Sequence, residues 1–219
     1  MDSMTILTCF DPGTIATKTF SVLEDGTIDK KSYRAGNNFE CEERPISSLD
    51  DIREILEELK LQPQKFVIRG KPKSNFIAVR RRIHGEGAAF DSSPRRWVML
   101  DSDRIEYPVE LDVIETPIEV IRFIKDQLPE PFKKTRCVFK FSSSQNIPEK
   151  AGQTAPKMVS AHLWFWCDRF VSDDEWKIYF KEHSCKIDLS VFNPVQPHYT
   201  ASPLFQGMAD PLPERIGIC

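Results

Sequence analysis

Residues 97 to 103 read Trp97-Val98-Met99-Leu100-Asp101-Ser102-Asp103, four apolar residues running directly into two carboxylates spaced two apart. Alternate side chains of a strand share a face, so Asp101 and Asp103 project side by side and Ser102 points away. The apolar residues anchor this strand, expected over 96–103, in a core and hold the carboxylates at its open end. Asp-x-Asp alone is common on surfaces and in turns. A buried strand that ends in two anions, however, is electrostatically costly without a cation. Two hard oxygen ligands held this way suit Mg²⁺ or Mn²⁺.

A second strand, Ser160 to Trp166, extends the pattern: Ser160, His162, Trp164 and Trp166 share one face. A lone strand histidine is ordinarily a hydrogen-bonded core residue. Here the preceding strand, Cys137 to Phe141, ends in Ser142-Ser143-Ser144-Gln145, and Lys157 lies just upstream. Hydroxyls, a lysine and a histidine beside paired carboxylates form a triphosphate cradle. A third carboxylate, Asp188, stands in the apolar setting Ile187-Asp188-Leu189, whereas its rivals Asp112 and Asp168 occupy polar, turn-like contexts.

Around these elements the periodicity predicts three helices. The first spans about 49–61, with Ile52, Ile55, Leu56 and Leu59 inward, Ser47 or Ser48 as cap and Pro63 beyond its end. The second runs from Pro117 to Leu128 and is ended by Pro129 and Pro131. The third follows a capping box from Ser172 to Glu175 and turns Trp176, Tyr179, Phe180 and His183 to one side. Further strands are expected over 5–10, 15–23, 65–69 and 76–83, with Asp25-Gly26 a turn and Gly70-Lys71-Pro72 joining the last two. Residues 31–46 read as polar and irregular, and 187–219 as loop-rich with short extended pieces near Tyr199 and Phe205. Interleaved strands and helices with hairpin-like pairs predict an α+β (mixed α/β) fold rather than a doubly wound parallel sheet.

The 219 residues, 40% hydrophobic and 29% charged, describe an ordinary folded protein with a real core. No apolar run approaches the ~20 residues of a membrane span and the N-terminus lacks a signal-peptide pattern, so no membrane partner and a cytoplasmic location are expected. Cys9, Cys41, Cys137, Cys167, Cys185 and Cys219 are too scattered for a disulfide scaffold. His183-Ser184-Cys185 offers two zinc ligands, but no CxxC or HxxxH pair completes a familiar spacing. There is no GxxxxGK[ST] loop, hence no motor of the chain's own. The net charge of −3 hides a gradient: residues 65–96 carry nine Lys or Arg against Glu86 and Asp91, just ahead of the carboxylate pair. Such a stretch suits a phosphate-binding surface, with Arg80, Arg81, Arg82, Arg95 and Arg96 the candidate nucleic-acid contacts.

In their order, Asp101-Ser102-Asp103, Ser160-Ala161-His162 and Asp188 resemble the three motifs of the archaeo-eukaryotic primase superfamily, over roughly residues 95–200. The likeness is greatest to primase and primase-polymerase domains of plasmids, phages and integrated elements. It implies an RRM-like catalytic module over 91–219, packed with an N-terminal α/β module over 1–90 into one unit, the N-terminal domain of a larger replication protein. It also implies a primase or primase-polymerase activity in which Asp101, Asp103 and Asp188 bind two Mg²⁺ or Mn²⁺ ions. Ser160 and His162 would then contact the phosphates of an incoming NTP or dNTP, with Lys157, Ser144 and Arg215 as further nucleotide contacts. The implied partners are a single-stranded DNA template and a helicase domain or protein. The family's basic residue after the third motif has no match, since Gln196 and His198 occupy that neighbourhood.

Two rival readings are weaker. A phosphatase of the haloacid dehalogenase type also places Asp-x-Asp after an apolar strand, but expects a hydroxyl residue where Ile105 stands and gives Ser160 and His162 no task. A non-catalytic module binding single strands could use Trp97, Trp164 and Trp166, but their spacing suits core packing and the acidic set is intact.

Overall fold

The computed structural model describes all residues except 35, 75–78, 82–86 and 186, and the side chains of 79 and 80 are not described. In chain order, the first half contains β1 (Asp2–Cys9), β2 (Thr19–Val22), β3 (Ile28–Lys31), β4 (Asn38–Ile46), α1 (Leu49–Leu59), β5 (Lys65–Ile68), β6 (Lys71–Pro72), β7 (Val79–Arg80) and β8 (Phe90–Asp91). There follow β9 (Arg95–Glu106), α2 (Pro117–Lys125), α3 (Glu130–Lys133), β10 (Cys137–Phe141), β11 (Met158–Val171) and α4 (Asp173–Glu182). A 3₁₀ turn (Leu189–Phe192), β12 (His198–Tyr199), β13 (Leu204–Gln206) and β14 (Ile216–Ile218) complete the described elements.

The fold is α+β. A four-stranded sheet has the order β14-β10-β11-β9, with every neighbouring pair antiparallel. Consequently β9 and β10 run parallel with β11 between them, and β11 and β14 run parallel with β10 between them, which makes two interleaved split βαβ units. A five-stranded sheet has the order β12-β5-β1-β4-β7, and a smaller one joins β13, β2 and β3. Elements from both sides of residue 90 share sheets, because β12 pairs with β5 and β13 with β2. The large core does the same. It unites Met4, Ile6 and Val67 with Trp97 to Leu100 of β9, Leu163 to Phe165 of β11 and Val120, Ile121 and Ile124 of α2. Each large apolar side chain so buried contributes about 1.5–3 kcal/mol.

Local chemistry sets the helix starts. Ser48 caps α1 and exchanges hydrogen bonds with Asp51, and Ser172 does the same for α4 with Glu175, satisfying backbone N–H groups that the first turn leaves unpaired. Ile52, Ile55, Leu56 and Leu59 form the buried face of α1, as their spacing predicts. After α2, Pro129 and Pro131 do more than stop the helix. They open α3, where proline suits the first turn, and that short helix drives Phe132 against Phe165 with ring centroids 4.9 Å apart.

Other segments depart from the sequence-based expectation. The supposedly irregular 31–46 contains β4, nine residues long and paired with β1 from Asp2↔Ile46 to Cys9↔Phe39. Its charged residues hid a strand whose backbone partners lie some forty positions away and whose buried anchors are only Phe39 and Ile46. Lys71-Pro72 is not a bare turn but pairs with Phe90-Asp91. Of the strand expected over 76–83, Val79–Arg80 pairs with β4 and most of the remainder lies outside the described residues. β2 is shorter than the expected 15–23, and β14 falls within the tail expected to be loop-rich. Most consequentially, β9 continues to Glu106 because β11 continues to pair with it down to Met158. The carboxylates therefore sit inside a strand rather than at its open end.

Arg69 ties the two larger sheets to α4. Its guanidinium is fully buried, pairs with Asp173 at 2.6 Å, donates to the Trp97 carbonyl at 2.6 Å and lies 4.9 Å from the Trp97 ring centroid. Asp173 also accepts from the Ser92 hydroxyl at 2.8 Å. Removing one partner strands the other charge in the core. Asp173→Ala is expected to lower unfolding stability by about 3–5 kcal/mol, against about 1 kcal/mol for Ser172→Ala one residue away. Urea denaturation checks the contrast, and equal effects would contradict it.

Candidate functional site

The register of β9 against β11 assembles the site. Asp101 pairs with His162 and Ser102 with Ala161, after which the register shifts before Val159↔Ile105. Asp103 and Arg104 therefore share Ser160 as their partner, a β-bulge, with Arg104 at φ 54° in the left-handed region. Ser160 holds the bulge by both ends: its hydroxyl donates to Asp103 Oδ1 at 2.6 Å and accepts from the Arg104 N–H at 2.9 Å. On the other side of β11, His162 pairs with Lys140 of β10. Directly opposed residues of antiparallel strands share a face, so Lys140, His162 and Asp101 form a row across the sheet.

The row is electrostatically tense. His162 Nε2 lies 3.6 Å from Asp101 Oδ1, their side chains being 15% and 30% exposed. Burial, then the negative charges of Asp103 and Asp188, push the Asp101 carboxyl up to about 6, against the pull of Lys18. Burial, with Lys140 and Lys18 nearby, drives His162 down to about 3, so its imidazole is neutral at neutral pH. Burial and Arg215 bring the Lys140 ammonium down to about 7. The three carboxylates belong to one field although they come from different segments.

Two adjoining cavities open onto this field. The smaller, about 240 Å³, is lined by Asp101, His162, Asp188, Ser142, Ser143 and an aromatic wall in which Tyr33 stacks on Tyr199 at 3.8 Å. The larger, about 460 Å³, takes in Asp103, Ser160 and Ser144. Lys18 lines both and donates to Ser144 Oγ at 2.6 Å. The hydroxyl-rich loop after β10 is pinned from behind. Gln145 accepts from the Ser160 N–H at 2.7 Å and donates to the Met158 carbonyl at 2.9 Å. Arg215 donates to the Ser142 and Gln145 carbonyls at 2.7 and 3.4 Å and is itself clasped by Asp210.

Thus Asp101, Asp103, Asp188, Ser160, His162 and Ser144 converge. Asp188 also caps the 3₁₀ turn, accepting from the Ser190 N–H and hydroxyl at 2.8 and 2.7 Å. Arg215 is buried behind the loop. Lys157 stands apart, donating to the Val109 and Leu111 carbonyls over the Tyr107 ring. Arg95 is buried against Asp2, Ser3 and Gly70, and Arg96 lies over Trp166 and donates to the Cys167 and Asp168 carbonyls. Arg81 is buried and donates to the Val195 carbonyl. The Arg80 side chain and Arg82 lie outside the described residues. Trp97 and Trp164 are fully buried, Gln196 lines the smaller cavity, and His198 is enclosed between those two tryptophans.

Lys18, Tyr33, Lys140 and Tyr199 escaped the sequence reading. Lys140 left a signal, a cation inside the otherwise apolar run Cys137 to Phe141. Lys18 and Tyr33 left none, because only the tertiary fold brings their segment to the sheet. Among the described residues, no group of three or more His, Cys, Asp or Glu side chains stands close enough together to hold a metal ion. None of the six cysteines is in a disulfide, and no described helix is long and apolar enough to cross a membrane. Comparison with protein-family models, curated proteins and solved structures finds no match for this chain.

The raised Asp101 carboxyl gives a signed prediction. Its folded-state value of about 6 lies above the unfolded one, so its ionisation erodes stability as pH climbs from about 4 to about 6 and no further above that. In buffer free of divalent cations, Asp101→Asn is expected to match the wild type near pH 4 and to exceed it by about 1–2 kcal/mol at pH 7, allowing for residual exposure. Denaturation midpoints across that range check it. A variant no more stable than wild type at pH 7 would contradict a carboxyl raised by burial and by Asp103 and Asp188.

Proposed function

We propose that this chain is a template-directed nucleotidyltransferase of the primase or primase-polymerase kind, acting on nucleoside triphosphates and a single-stranded DNA template. One observation carries the reading: Asp101 and Asp103 from one strand, Ser160 and His162 from the next, and Asp188 from a later turn meet at one cleft, where burial, then Asp103 and Asp188, raise the Asp101 carboxyl. The same residues carry the likeness to the archaeo-eukaryotic primases. The β9-to-β14 segment runs β-α-β-β-α-β, the element order of an RRM-like catalytic module, although its sheet order, β14-β10-β11-β9, sets the first strand at the edge rather than in the centre.

Asp101, Asp103 and Asp188 supply hard anionic oxygens of the kind Mg²⁺ or Mn²⁺ takes, and, not standing close enough together to hold an ion as they are, would have to draw in around it. Bound there, the ions would lower the pKa of an attacking 3′-hydroxyl and neutralise charge on the phosphates. The protein's own contribution is positioning. Neutral His162, set 3.6 Å from Asp101, offers an N–H to a phosphate oxygen without carrying a charge. Ser142 and Ser143 add hydroxyls on the loop that Arg215 and Gln145 hold still. The Tyr33–Tyr199 stack supplies a flat apolar wall for the nucleoside.

Labelled NTPs and dNTPs supplied with Mg²⁺ or Mn²⁺ on a single-stranded template, with and without primer, test the reading. Wild-type protein is expected to incorporate nucleotide, and Asp101→Ala and Asp103→Ala to lose at least about a hundredfold while remaining folded. Normal dinucleotide synthesis by either variant would remove the acidic cluster from the chemistry. Hydrolysis of phosphate monoesters without incorporation would favour a phosphatase instead.

A further inference from the structure

The family pattern expects a cation after Asp188, and this chain has none matched there. We infer that the missing positive charge comes from elsewhere: Lys18, Lys30 and Arg104 form a polyphosphate subsite in the larger cavity, outside all three motifs. The inference rests on the nucleotidyltransferase reading for its physiological ligand but not for its chemistry.

Three observations carry it. Lys18, Lys30 and Arg104 line the same cavity of about 460 Å³, together with the hydroxyls of Ser144 and Ser160. Lys18 enters just before β2, Lys30 lies in β3 and Arg104 in β9, so three separate parts of the fold deliver cations to one place. Second, none of these cations is closed in an ion pair. Asp103 and Glu149 share the lining, yet none of the three cations lies within 4 Å of a described carboxylate. Lys18 and Lys30 stand close enough to repel, and half-buried Lys18 donates to the Ser144 hydroxyl and lies 5.7 Å from the Tyr33 ring centroid, with Asp103 and Asp101 offsetting part of its charge from a distance. Like charges converge at a cost unless an anion joins them. Third, Arg104 adopts φ 54°, which L-residues other than Gly, Asn and Asp seldom do. The bulge that imposes this strain also sets Arg104 beside Asp103, at the junction of the carboxylates and the cavity.

The ligand class follows from shape and charge. The smaller cavity holds Asp101 and Asp188, the larger holds the cations, and Lys18 and the Ser142–Ser144 loop border both. A phosphate chain lying across Lys18 would place one end at the carboxylates and the distal phosphates among Lys30, Arg104, Ser144 and Ser160. This is the chemistry of a triphosphate tail, whether on a nucleotide or as inorganic triphosphate. A single phosphate would reach fewer of these groups.

Titration calorimetry on the full chain, with inorganic triphosphate, a nucleoside triphosphate and the bare nucleoside, tests the subsite. Lys18→Met and Lys30→Gln are each expected to weaken both triphosphate ligands about tenfold, the effect of one lost charge-assisted contact, without changing nucleoside binding. Arg104→Asn is expected to weaken them while raising the melting temperature, because asparagine tolerates the left-handed backbone. Lys30 is exposed, so its variant remains folded if loss of the Lys18–Ser144 bond unsettles the other. If folded Lys18→Met and Lys30→Gln bind triphosphate within twofold of wild type, or wild type binds none, the subsite is overturned even where the protein polymerises nucleotides. If wild type binds triphosphate and the variants do not, the subsite stands even where no incorporation occurs, and only the nucleotidyltransferase reading falls.

Discussion

Everything at the cleft depends on the register of β9 against β11. A strand's side chains alternate with period two, so a one-residue slip of β9 along β11 would turn Asp101 into the core and bring Ser102 to the cleft opposite His162. The register is secured on the buried side of each strand, where Val98 and Leu100 oppose Phe165 and Leu163, and on the cleft side by Trp97 and Trp164, whose rings lie 5.5 Å apart. Of the two irregularities in this ladder, the one between Val159 and Ala161 falls where the chemistry is, and the Ser160 side chain spans it. A hydroxyl that both donates to a carboxylate and accepts from a strained backbone N–H makes the bulge a defined feature rather than a defect.

The cleft concentrates charge of both signs in a region of restricted water. Asp101 is raised and His162 and Lys140 are lowered by the same cause first, burial, and by their neighbours second. The positive and negative groups are arranged so that the closest like-signed pairs remain unresolved within the protein itself. Structural ion pairs look different: Arg69–Asp173 and Arg215–Asp210 are closed pairs whose members also bond carbonyls and a hydroxyl, though Arg69 Nη2 has no hydrogen-bond partner. The contrast separates charges that hold the fold from charges that await something else.

Much of the fold was legible because it is locally encoded. The capping boxes at Ser48 and Ser172, the apolar face of α1 and the bounds of β10 all follow from short-range patterns. What escaped is non-local. β4 looks irregular because its ladder partner β1 lies on the far side of the β2–β3 hairpin, and β14 looks like tail because three residues carry no period. The basic stretch misled for a related reason: charge in sequence does not say which way a side chain faces. Arg69, Arg81 and Arg95 turned inward to satisfy carbonyls and carboxylates, and the cations at the cleft come from outside that stretch: Lys18 and Lys30 from the N-terminal segment, Arg104 from β9 and Lys140 from β10.

Alternation and hydrophobic anchoring, which act over a few residues, make the α+β character, the strand that carries Asp101 and Asp103, the face shared by Ser160 and His162, and the apolar setting of Asp188 readable from the residues alone. That Asp103 sits on a bulge, that Lys140 completes a row with His162, that Lys157 faces away, and that Lys18, Lys30 and Tyr33 reach the cleft emerge only once the chain is folded. Those depend on which strands pair and in what register, a choice made by the burial of the whole core rather than by any stretch within it.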